Sequence, residues 1–350
     1  MELLTHTKRR DFLNCPRYFY HRHEQGLELI AKKAGRRRGT IFGDALQAAR
    51  DAVVIPTVTS LDKTRFPASA LKAAMDSIDA SYDELHPRDQ AEATDQEIER
   101  VKVRVMAGLY IVRYGLAARR EVEFELPLWT ITGGASKTFR RAGKIDGIEV
   151  VRPQVGRVIE DKFVAQIQKA MIDRLPLDAQ ATEYVDALLS KGWGAEVAYR
   201  HTRVPGKNPL PPKQFKTKDD YPGETLDEFE QRLVEDVNDR PESYFDEQIL
   251  IFPQVHLADY RSGRSATARM IQDARLRAAH HGHQFGFPMN PSRCWEFGGC
   301  EYIPLCTKQP DAIDRYTIVP DNVELRERDT DGTVTDEYGP TGGEAGADQA

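Results

Sequence analysis

Four cysteines are the sequence feature that most restricts how this chain can fold. Cys15 lies near the start of the sequence, in NCPRYFY, and Cys294, Cys300 and Cys306 form a C-x5-C-x5-C pattern in CWEFGGCEYIPLC. Four thiolates are the ligand set of an iron–sulfur cluster or a structural zinc ion. If all four bind one metal centre, residues from both ends of the sequence must meet. Closing so long a loop should stabilise the fold, by analogy with covalent cross-links.

Two simpler interpretations of the cysteines compete with a cluster. Free cysteine is among the residues most often buried, so ordinary core thiols are one alternative. Zinc is the other, but zinc sites usually contain C-x2–4-C pairs, which five-residue gaps fit poorly. His280, His281 and His283 could add zinc ligands, although a solvated helix end is the more common explanation of such residues. From the residues we expect an iron–sulfur cluster, with zinc as the main competitor.

The charge distribution is compatible with a nucleic-acid partner although the net charge is −6. Residues 321–350 hold nine acidic residues against two arginines, so the rest of the chain is close to neutral. No apolar run approaches the roughly 18 residues of a membrane span, and the N-terminal sequence lacks the apolar stretch of a signal peptide. We therefore expect a cytoplasmic protein with no membrane partner.

Hydrophobic periodicity predicts a helical first third, a compact group of strands and a helical last third. Apolar residues recur at three- and four-residue spacing in the helical parts and alternate in the strands. A Pro-, Gly- and Lys-rich stretch at 204–224 predicts a loop. Helices are predicted at 8–25, 39–54, 67–85, 92–118, 178–190, 225–239 and 254–281, and strands at 121–131, 139–151, 156–164 and 195–202.

This order of elements predicts one α/β domain with a helical surround. We place that domain at residues 1–310, with both ends of it supplying the cysteines. Residues 311–350 are predicted to be an acidic, disordered tail, because they are Gly-rich and poor in aromatic residues.

Two carboxylates and a lysine are predicted to share one position in the strand group. Asp146 lies in GKIDGI, and Glu160 and Lys162 lie in VIEDKF on the next strand. Residues two apart point to the same face of a strand. Carboxylate oxygens hold Mg²⁺ or Mn²⁺, such a metal activates water against a phosphodiester, and a lysine can offset developing charge. The alternative is a surface salt-bridge ladder, which a bare E-x-K fits more often.

Two features of the context favour the catalytic interpretation. Apolar residues flank both motifs, which indicates central strands. On the following helix, Gln180 and Tyr184 are four residues apart and so share a helix face. There they could contact both the metal and a nucleic-acid strand.

The order of these motifs resembles the PD-(D/E)XK nuclease superfamily. It is most similar to its RecB-like branch with an iron–sulfur cluster, which includes the nuclease domain of AddB, CRISPR adaptation nucleases and phage-encoded relatives. The resemblance extends from residue 8 to residue 306. The matching segments are CPRYFY at 15–20, GTIFGDAL at 39–46, GKIDGI at 143–148, IEDK at 159–162 and QATEY at 180–184, followed by the three late cysteines.

The resemblance implies a restriction-endonuclease-like mixed central sheet flanked by helices and clamped by a 4Fe–4S cluster. It implies Asp146 and Glu160 as ligands of Mg²⁺ or Mn²⁺, with the main-chain carbonyl of Asp161 as a third. It also implies Lys162 at the attacking water, with Gln180 and Tyr184 as the branch's Q-x3-Y motif. The sequence departs from the branch at Gly43, where relatives usually have a metal-binding histidine, and in the wider spacing of its late cysteines.

Three functions follow as expectations. The first is a Mg²⁺- or Mn²⁺-dependent exonuclease, of bacterial or phage origin, that cuts DNA at single-stranded ends during recombination, repair or phage DNA metabolism, with a recombination or replication protein as a partner. The second is an inactive DNA-binding accessory protein with the same fold. The third is a zinc-stabilised scaffold. Phosphate contacts require Arg or Lys, and the candidates are Arg36, Arg37, Arg38, Arg140 and Arg141.

Overall fold

The computed structural model describes residues 1–30, 34–52, 68–87, 89–116, 122–130, 132–212, 222–295 and 299–320, without the side chains of residues 34–36 and 122. In chain order the elements are β1 (Glu2–Leu4), α1 (His6–Asn14), α2 (Pro16–Phe19), β2 (Leu27–Leu29), α3 (Ala34–Asp51), α4 (Ala68–Asp83), α5 (Gln90–Tyr114), β3 (Val122–Trp129), β4 (Ala135–Ile145), β5 (Gly147–Arg152), β6 (Val155–Val164), α6 (Lys169–Ile172), α7 (Ala179–Ser190), β7 (Gly194–Arg203), α8 (Leu226–Asp239), β8 (Phe245–Leu250), α9 (Gln254–His281), α10 (His283–Gly286), α11 (Ile303–Cys306) and β9 (Tyr316–Ile318).

A mixed four-stranded sheet in the order β5-β6-β7-β8 forms the centre of the molecule. Strands β6 and β7 are parallel, and the outer pairs are antiparallel. Val158 and Ile159 of β6 are both fully buried although they point to opposite faces. A strand buried on both faces is apolar throughout its middle. The mixed sheet with its helices is consistent with the restriction-endonuclease-like fold that the sequence predicts.

A second sheet, in the order β1-β4-β3, joins the central sheet at one residue. Strand β4 ends at Ile145 and β5 begins at Gly147, so Asp146 alone connects them. Ile145 pairs with Val122 of β3, whereas Gly147 pairs with Ile159 of β6. The prediction of a single strand at 139–151 was therefore wrong. The two halves belong to different sheets, and the bend between them carries a carboxylate.

Helices cover both faces of the central sheet. On one face, α3, α4 and α5 enclose a core that includes Phe42, Ile78 and Tyr110. On the other face, α7 packs on the sheet through a core that includes Val185 and Leu188. The helices α4, α5, α7, α8 and α9 match their predicted positions closely. Strand β8, which lies in a segment where we predicted no strand, completes the sheet edge.

The predicted helix at 8–25 is interrupted at the first cysteine. Cys15 has an extended backbone with φ −157°, and Pro16 opens α2. Proline is favoured at the first position of a helix and breaks a helix that would run through it. A π-helical turn at Tyr20–Glu24 follows. The interruption leaves the Cys15 thiol at a junction between helices, not along one helix face.

The two ends of the described chain lie together. Strand β2 pairs with β9 in antiparallel orientation, with Leu27 opposite Ile318. The predicted tail boundary at residue 311 was therefore too early, because 312–318 form a helical turn and a strand. Residues 321–350, where we also predicted disorder, lie outside the described residues. In the part of the chain that is described, no helix has both the length and the apolar character to cross a membrane.

Candidate active site

Asp146 and Glu160 lie side by side because of the pairing between β5 and β6. Gly147 is opposite Ile159, which places the preceding Asp146 next to Glu160. The backbone N–H of Asp161 donates to Oδ2 of Asp146 at 3.3 Å. The carboxylates therefore meet where the two sheets join. We call this region, with Lys162, the carboxylate cleft.

A chain of polar contacts leads from Glu160 to α7. The Lys162 ammonium forms an ion pair with Oε1 of Glu160. It also donates to Oε1 of Gln180 at 3.4 Å, and Nε2 of Gln180 donates to the Tyr184 hydroxyl at 3.0 Å. Asp178 caps the N-terminus of α7 by accepting from the N–H of Gln180, which fixes the helix above the sheet. The structure thus brings four of the predicted site residues into one network.

Burial makes the two carboxylates costly to keep charged. Glu160 is 1% exposed, and its Oε2 has no hydrogen-bond partner among the described residues. Burial, together with the nearby Asp146 charge, raises the pKa of Glu160 although Lys162 opposes the shift. Burial and the Asp161 charge likewise raise the pKa of Asp146. This is not the exposed salt-bridge ladder that was the alternative, and a bound cation would relieve the repulsion.

The Asp161 side chain lies on the opposite face of β6 from Glu160 and is held by other helices. Its carboxylate accepts from Arg50 of α3 at 2.7 Å and from the Tyr110 hydroxyl of α5. Arg50 also donates to the main-chain carbonyl of Asp146 at 3.0 Å. Because the carboxylate is occupied, Asp161 can offer a cation only its main-chain carbonyl. No motif in the sequence pointed to Arg50 or Tyr110.

A cavity of about 420 Å³ opens beside Asp146 and Lys162 and is walled by α3. Gly39 and Gly43 line it one helical turn apart, and a Cβ added to either would meet nothing within 4 Å. Gly43, where the resemblance to the RecB-like branch led us to expect a histidine, therefore faces open space. Asp44 also lines the cavity.

Few of the described side chains at the carboxylate cleft could bind a metal ion. Among the residues that the structure describes, no group of three or more His, Cys, Asp or Glu side chains is arranged to hold a metal ion. What remains at the cleft is buried Glu160, whose Oε2 has no hydrogen-bond partner among the described residues, and half-buried Asp146 beside it. Oxygen donors of this kind suit Mg²⁺ or Mn²⁺, which keep several water ligands and need few protein groups. The donor chemistry therefore fits a divalent cation.

The predicted DNA-contacting arginines differ in their surroundings. Arg37 and Arg38 pair with Glu99 at 3.4 and 3.2 Å, and Arg140 pairs with Glu125 at 2.5 Å. These three are partly exposed and stay predictions. The Arg36 side chain lies outside the described residues.

Arg141 was wrongly predicted to contact DNA. It is 2% exposed and forms ion pairs with Glu183 and Asp186 of α7. Arg264 of α9 binds the same two acids, at 3.0 Å each. A buried charge persists only when it is paired. Arg141 therefore joins β4 to α7 and α9 inside the protein.

The four cysteines approach one another at the junction of α2 with the chain's C-terminal segment. We call this region the cysteine site. Burial, and after it the Cys300 thiol, raises the pKa of Cys306 to about 11, with Cys15 and Cys294 adding to the shift. Backbone N–H groups donate to two of the sulfurs at 3.4 Å, that of Asn290 to Cys15 and that of Tyr302 to Cys300.

The thiols are half-buried and unpaired, with no disulfide. In the described chain they are not arranged as a metal-binding group. The thiol donor set still fits a soft metal centre, since hydrogen bonds to sulfur are typical surroundings of iron–sulfur clusters. The nearest histidine is His21, with Nε2 at 3.8 Å from the Cys306 sulfur. His283, a candidate zinc ligand, instead stacks on Tyr20.

Comparison with known proteins agrees with this geometry. No curated protein matches the chain. The family model of the PD-(D/E)XK nuclease superfamily matches residues 3–307, which include both the carboxylate cleft and all four cysteines. The match covers most of the sequence, and the chain belongs to the PD-(D/E)XK nuclease superfamily.

Proposed function

We propose that this chain is a metal-dependent deoxyribonuclease that hydrolyses phosphodiester bonds at the carboxylate cleft. One observation carries the proposal. Buried Glu160 has an oxygen without a partner, beside Asp146 and next to a lysine ammonium. Membership of a nuclease superfamily implies hydrolysis of phosphodiesters, and its members typically use divalent metals. Buried acids with raised pKa values are a common feature of catalytic sites.

The Asp146 and Glu160 carboxylates and the Asp161 main-chain carbonyl would hold Mg²⁺ or Mn²⁺. A bound ion would polarise the phosphodiester and lower the pKa of a water molecule. The protein's contribution is to hold these oxygens rigidly. Arg50 helps to hold them, because it donates hydrogen bonds to the Asp146 main-chain carbonyl and to the Asp161 carboxylate.

Lys162 is placed to orient the attacking water and to offset charge on the phosphate. It is anchored by Glu160 and Gln180, and it is partly exposed to the cavity. The Glu160 and Asp146 charges raise the pKa of Lys162 although burial opposes the shift, so Lys162 stays protonated at neutral pH. A preorganised ammonium at this position stabilises developing negative charge. Gln180 and Tyr184 would contact the nucleic-acid strand.

The substrate we propose is DNA with single-stranded ends. The cleft's cavity of about 420 Å³ suits nucleotides of one strand better than a duplex. An exonuclease of this kind would act in recombination, repair or phage DNA metabolism in a bacterial cytoplasm, together with a recombination or replication protein. These roles rest on the resemblance of the motifs to the RecB-like branch.

A DNA-binding accessory protein without cleavage activity is the second candidate. The observation that favours it is the empty space at Gly43, together with the absence, among the described residues, of three or more His, Cys, Asp or Glu side chains arranged to hold a metal. Such a protein would bind DNA in the same cleft. It would differ from the nuclease only in that it does not cleave the bound DNA.

We also propose that Cys15, Cys294, Cys300 and Cys306 bind a 4Fe–4S cluster that holds the two ends of the domain together. The convergence of four free thiols and the two N–H···S hydrogen bonds support this. The domain would then extend to about residue 320, with β9 as its last strand. Protein purified without oxygen should contain iron and absorb visible light. A colourless protein with stoichiometric zinc would exclude the cluster.

The decisive experiment is digestion of end-labelled single- and double-stranded DNA with Mg²⁺ or Mn²⁺. Wild-type protein should shorten the single-stranded substrate, and Asp146→Asn and Lys162→Ala should not. Asp173→Asn is a matched control, because Asp173 is an exposed acid whose partner is Lys169. Cleavage that survives in Asp146→Asn would come from another site. DNA binding without cleavage by wild type would favour the accessory protein.

A further inference from the structure

A second cavity, of about 260 Å³, lies on the other side of Asp146 from the first. It forms where α1 begins, β4 ends and α7 begins. Its polar lining includes Thr5, His6, Thr7, Lys144, Gln180 and Tyr184. Asp146 lines both cavities, so any group bound in the second one lies next to the carboxylate cleft.

His6 is the unexplained group in this cavity. It is the first residue of α1, and in the described structure its ring makes no hydrogen bond. Burial, and after it the positive charge of Arg10, lowers the pKa of His6 to about 4. The imidazole is therefore neutral at pH 7, with one nitrogen that donates and one that accepts. A polar ring left without a partner in a polar cavity is arranged for a ligand.

With a cation bound at Asp146, the other charges around the cavity favour an anion. Its acid Glu183 is already paired, since Arg264 donates to both carboxylate oxygens at 3.0 and 3.1 Å. Arg9 lies 3.7 Å from the same carboxylate. Lys144 adds a positive charge to the cavity wall. The Thr5 hydroxyl oxygen accepts from the N–H of Lys8, which leaves its proton for donation to a ligand.

We propose that this second cavity binds a phosphate group of the nucleic-acid strand, next to the phosphodiester that is cut, and that His6 donates a hydrogen bond to it. The proposal rests on the proposed nuclease function. The volume is below the roughly 300 Å³ of the smallest typical small-molecule pockets, so a phosphate with its sugar atoms fits better than a cofactor. Hydrogen bonds from a neutral donor to an anionic oxygen are stronger than neutral pairs.

A bound phosphate would also fix the register of the strand. His6 and Gln180 face one cavity, while Lys162, which donates to Gln180, faces the other. If the second cavity holds one phosphate, the neighbouring phosphodiester of the strand lies at the carboxylates, where it is cut. His6 is thus a substrate-positioning residue, and its loss should affect substrate binding more than the chemical step.

The test uses a single-stranded oligonucleotide and the variants His6→Ala and His6→Gln, with His280→Ala as a control at the end of α9. His6→Ala should raise KM about tenfold while kcat changes less than about threefold, because it removes one charge-assisted hydrogen bond of about 1.4 kcal/mol. His6→Gln keeps a donor and should restore most of the affinity. A KM for His6→Ala equal to that of wild type would overturn the proposal.

A second substrate locates the phosphate that His6 contacts. A neutral methylphosphonate at a linkage adjacent to the cut should weaken substrate binding by wild type about tenfold. It should hardly change binding by His6→Ala, because this variant has already lost the hydrogen bond to the phosphate. Equal sensitivity in the two proteins would contradict the proposal. His6→Ala and His6→Gln should both unfold at the wild-type temperature, because the His6 ring makes no hydrogen bond within the described protein.

Binding without cleavage separates this proposal from the nuclease function. Fluorescence anisotropy of a labelled strand, with Ca²⁺ in place of Mg²⁺, needs no turnover. If wild type never cuts DNA but His6→Ala still binds about tenfold more weakly, the nuclease proposal fails and the phosphate subsite stands. If wild type cuts DNA and His6→Ala binds like wild type, the subsite fails and the nuclease stands.

Discussion

The carboxylate cleft and the cysteine site both gather groups that become negatively charged when they lose a proton, but the protein holds them in different ways. Asp146 and Glu160 are fixed by the pairing of two adjacent strands, and Glu160 is almost completely buried while Asp146 is half-buried. The four thiols are half-buried and come from turns and short helices at opposite ends of the domain. The cleft is thus built by local sheet geometry, whereas the cysteine site exists only when distant segments meet.

This difference separates chemistry from stability. Removing a charge from the cleft should change catalysis without loosening the fold, because the β5–β6 pairing and the hydrogen bonds of Arg50 hold the strands in place. Removing a thiol should loosen the fold without touching catalysis, because the cysteines line neither cavity beside Asp146. The following predictions test that separation.

Glu160→Gln should lower cleavage by about a thousandfold, equivalent to about 4 kcal/mol of transition-state stabilisation. The change removes a charge with almost no change of shape, and relief of the buried charge should leave the unfolding temperature unchanged or raised. Initial rates with Mn²⁺ and thermal unfolding measure both quantities. A large fall in unfolding temperature would show that the cleft is also structural.

Cys15→Ser should lower the free energy of unfolding by about 2–4 kcal/mol, as loss of a long-range cross-link does, and should abolish bound iron. Cleavage by the remaining folded protein should stay near the wild-type rate. The control is the same substitution in protein stripped of iron, where it should have little effect on stability. If fully folded Cys15→Ser did not cleave DNA, the cysteine site would contribute to catalysis and not only to stability.

Arg50→Met should weaken Mn²⁺ binding about tenfold, in the range seen when groups that orient metal ligands are removed. It deletes the hydrogen bonds to the Asp146 carbonyl and the Asp161 carboxylate. Tyr110→Phe removes only one bond to Asp161 and should have a smaller effect. Calorimetric titration with Mn²⁺ gives the affinities, and unchanged binding in Arg50→Met would show that the cleft is rigid without it.

Gly43→Ala should stabilise the fold by about 0.5–1 kcal/mol, because it removes a glycine from a helix interior and its Cβ meets open space. Gly143→Ala is the contrasting variant. Its Cβ would lie 2.7 Å from the Phe124 ring, so it should destabilise the protein. Denaturant unfolding of both measures the effects, and a destabilised Gly43→Ala would mean that α3 packs more closely over the cleft.

The sequence predicted the parts of the fold that depend on local pattern. Alternating apolar residues located β3, β6 and β7, and three- and four-residue spacing located most of the long helices. The pairing of Asp146 with Glu160 was also predictable, because two strands joined by a short turn must pair in register. The α/β class followed from the order of these elements, whereas the restriction-endonuclease-like sheet was implied by the resemblance of the motifs to the nuclease superfamily.

What the sequence could not predict depends on partners far along the chain. Alternation identifies a strand but not its sheet, so the change of sheet at Asp146 was missed. Arg140 and Arg141 look alike in sequence, yet one is partly exposed and the other is paired inside the protein with residues of α7. His6 carried no motif, and its importance comes only from the cavity that it lines.

The parallel pairing of β1 with β4 has a consequence for synthesis. Glu2 pairs with Phe139, and Cys15 accepts a hydrogen bond from Asn290. At about 5–20 residues per second of translation, the first strand waits on the order of ten seconds for its partner, and the first cysteine waits longer still. The segment that borders the cleft and holds Cys15 is therefore made well before the residues that lock it in place, so the four thiols can meet only after residue 306 has been made.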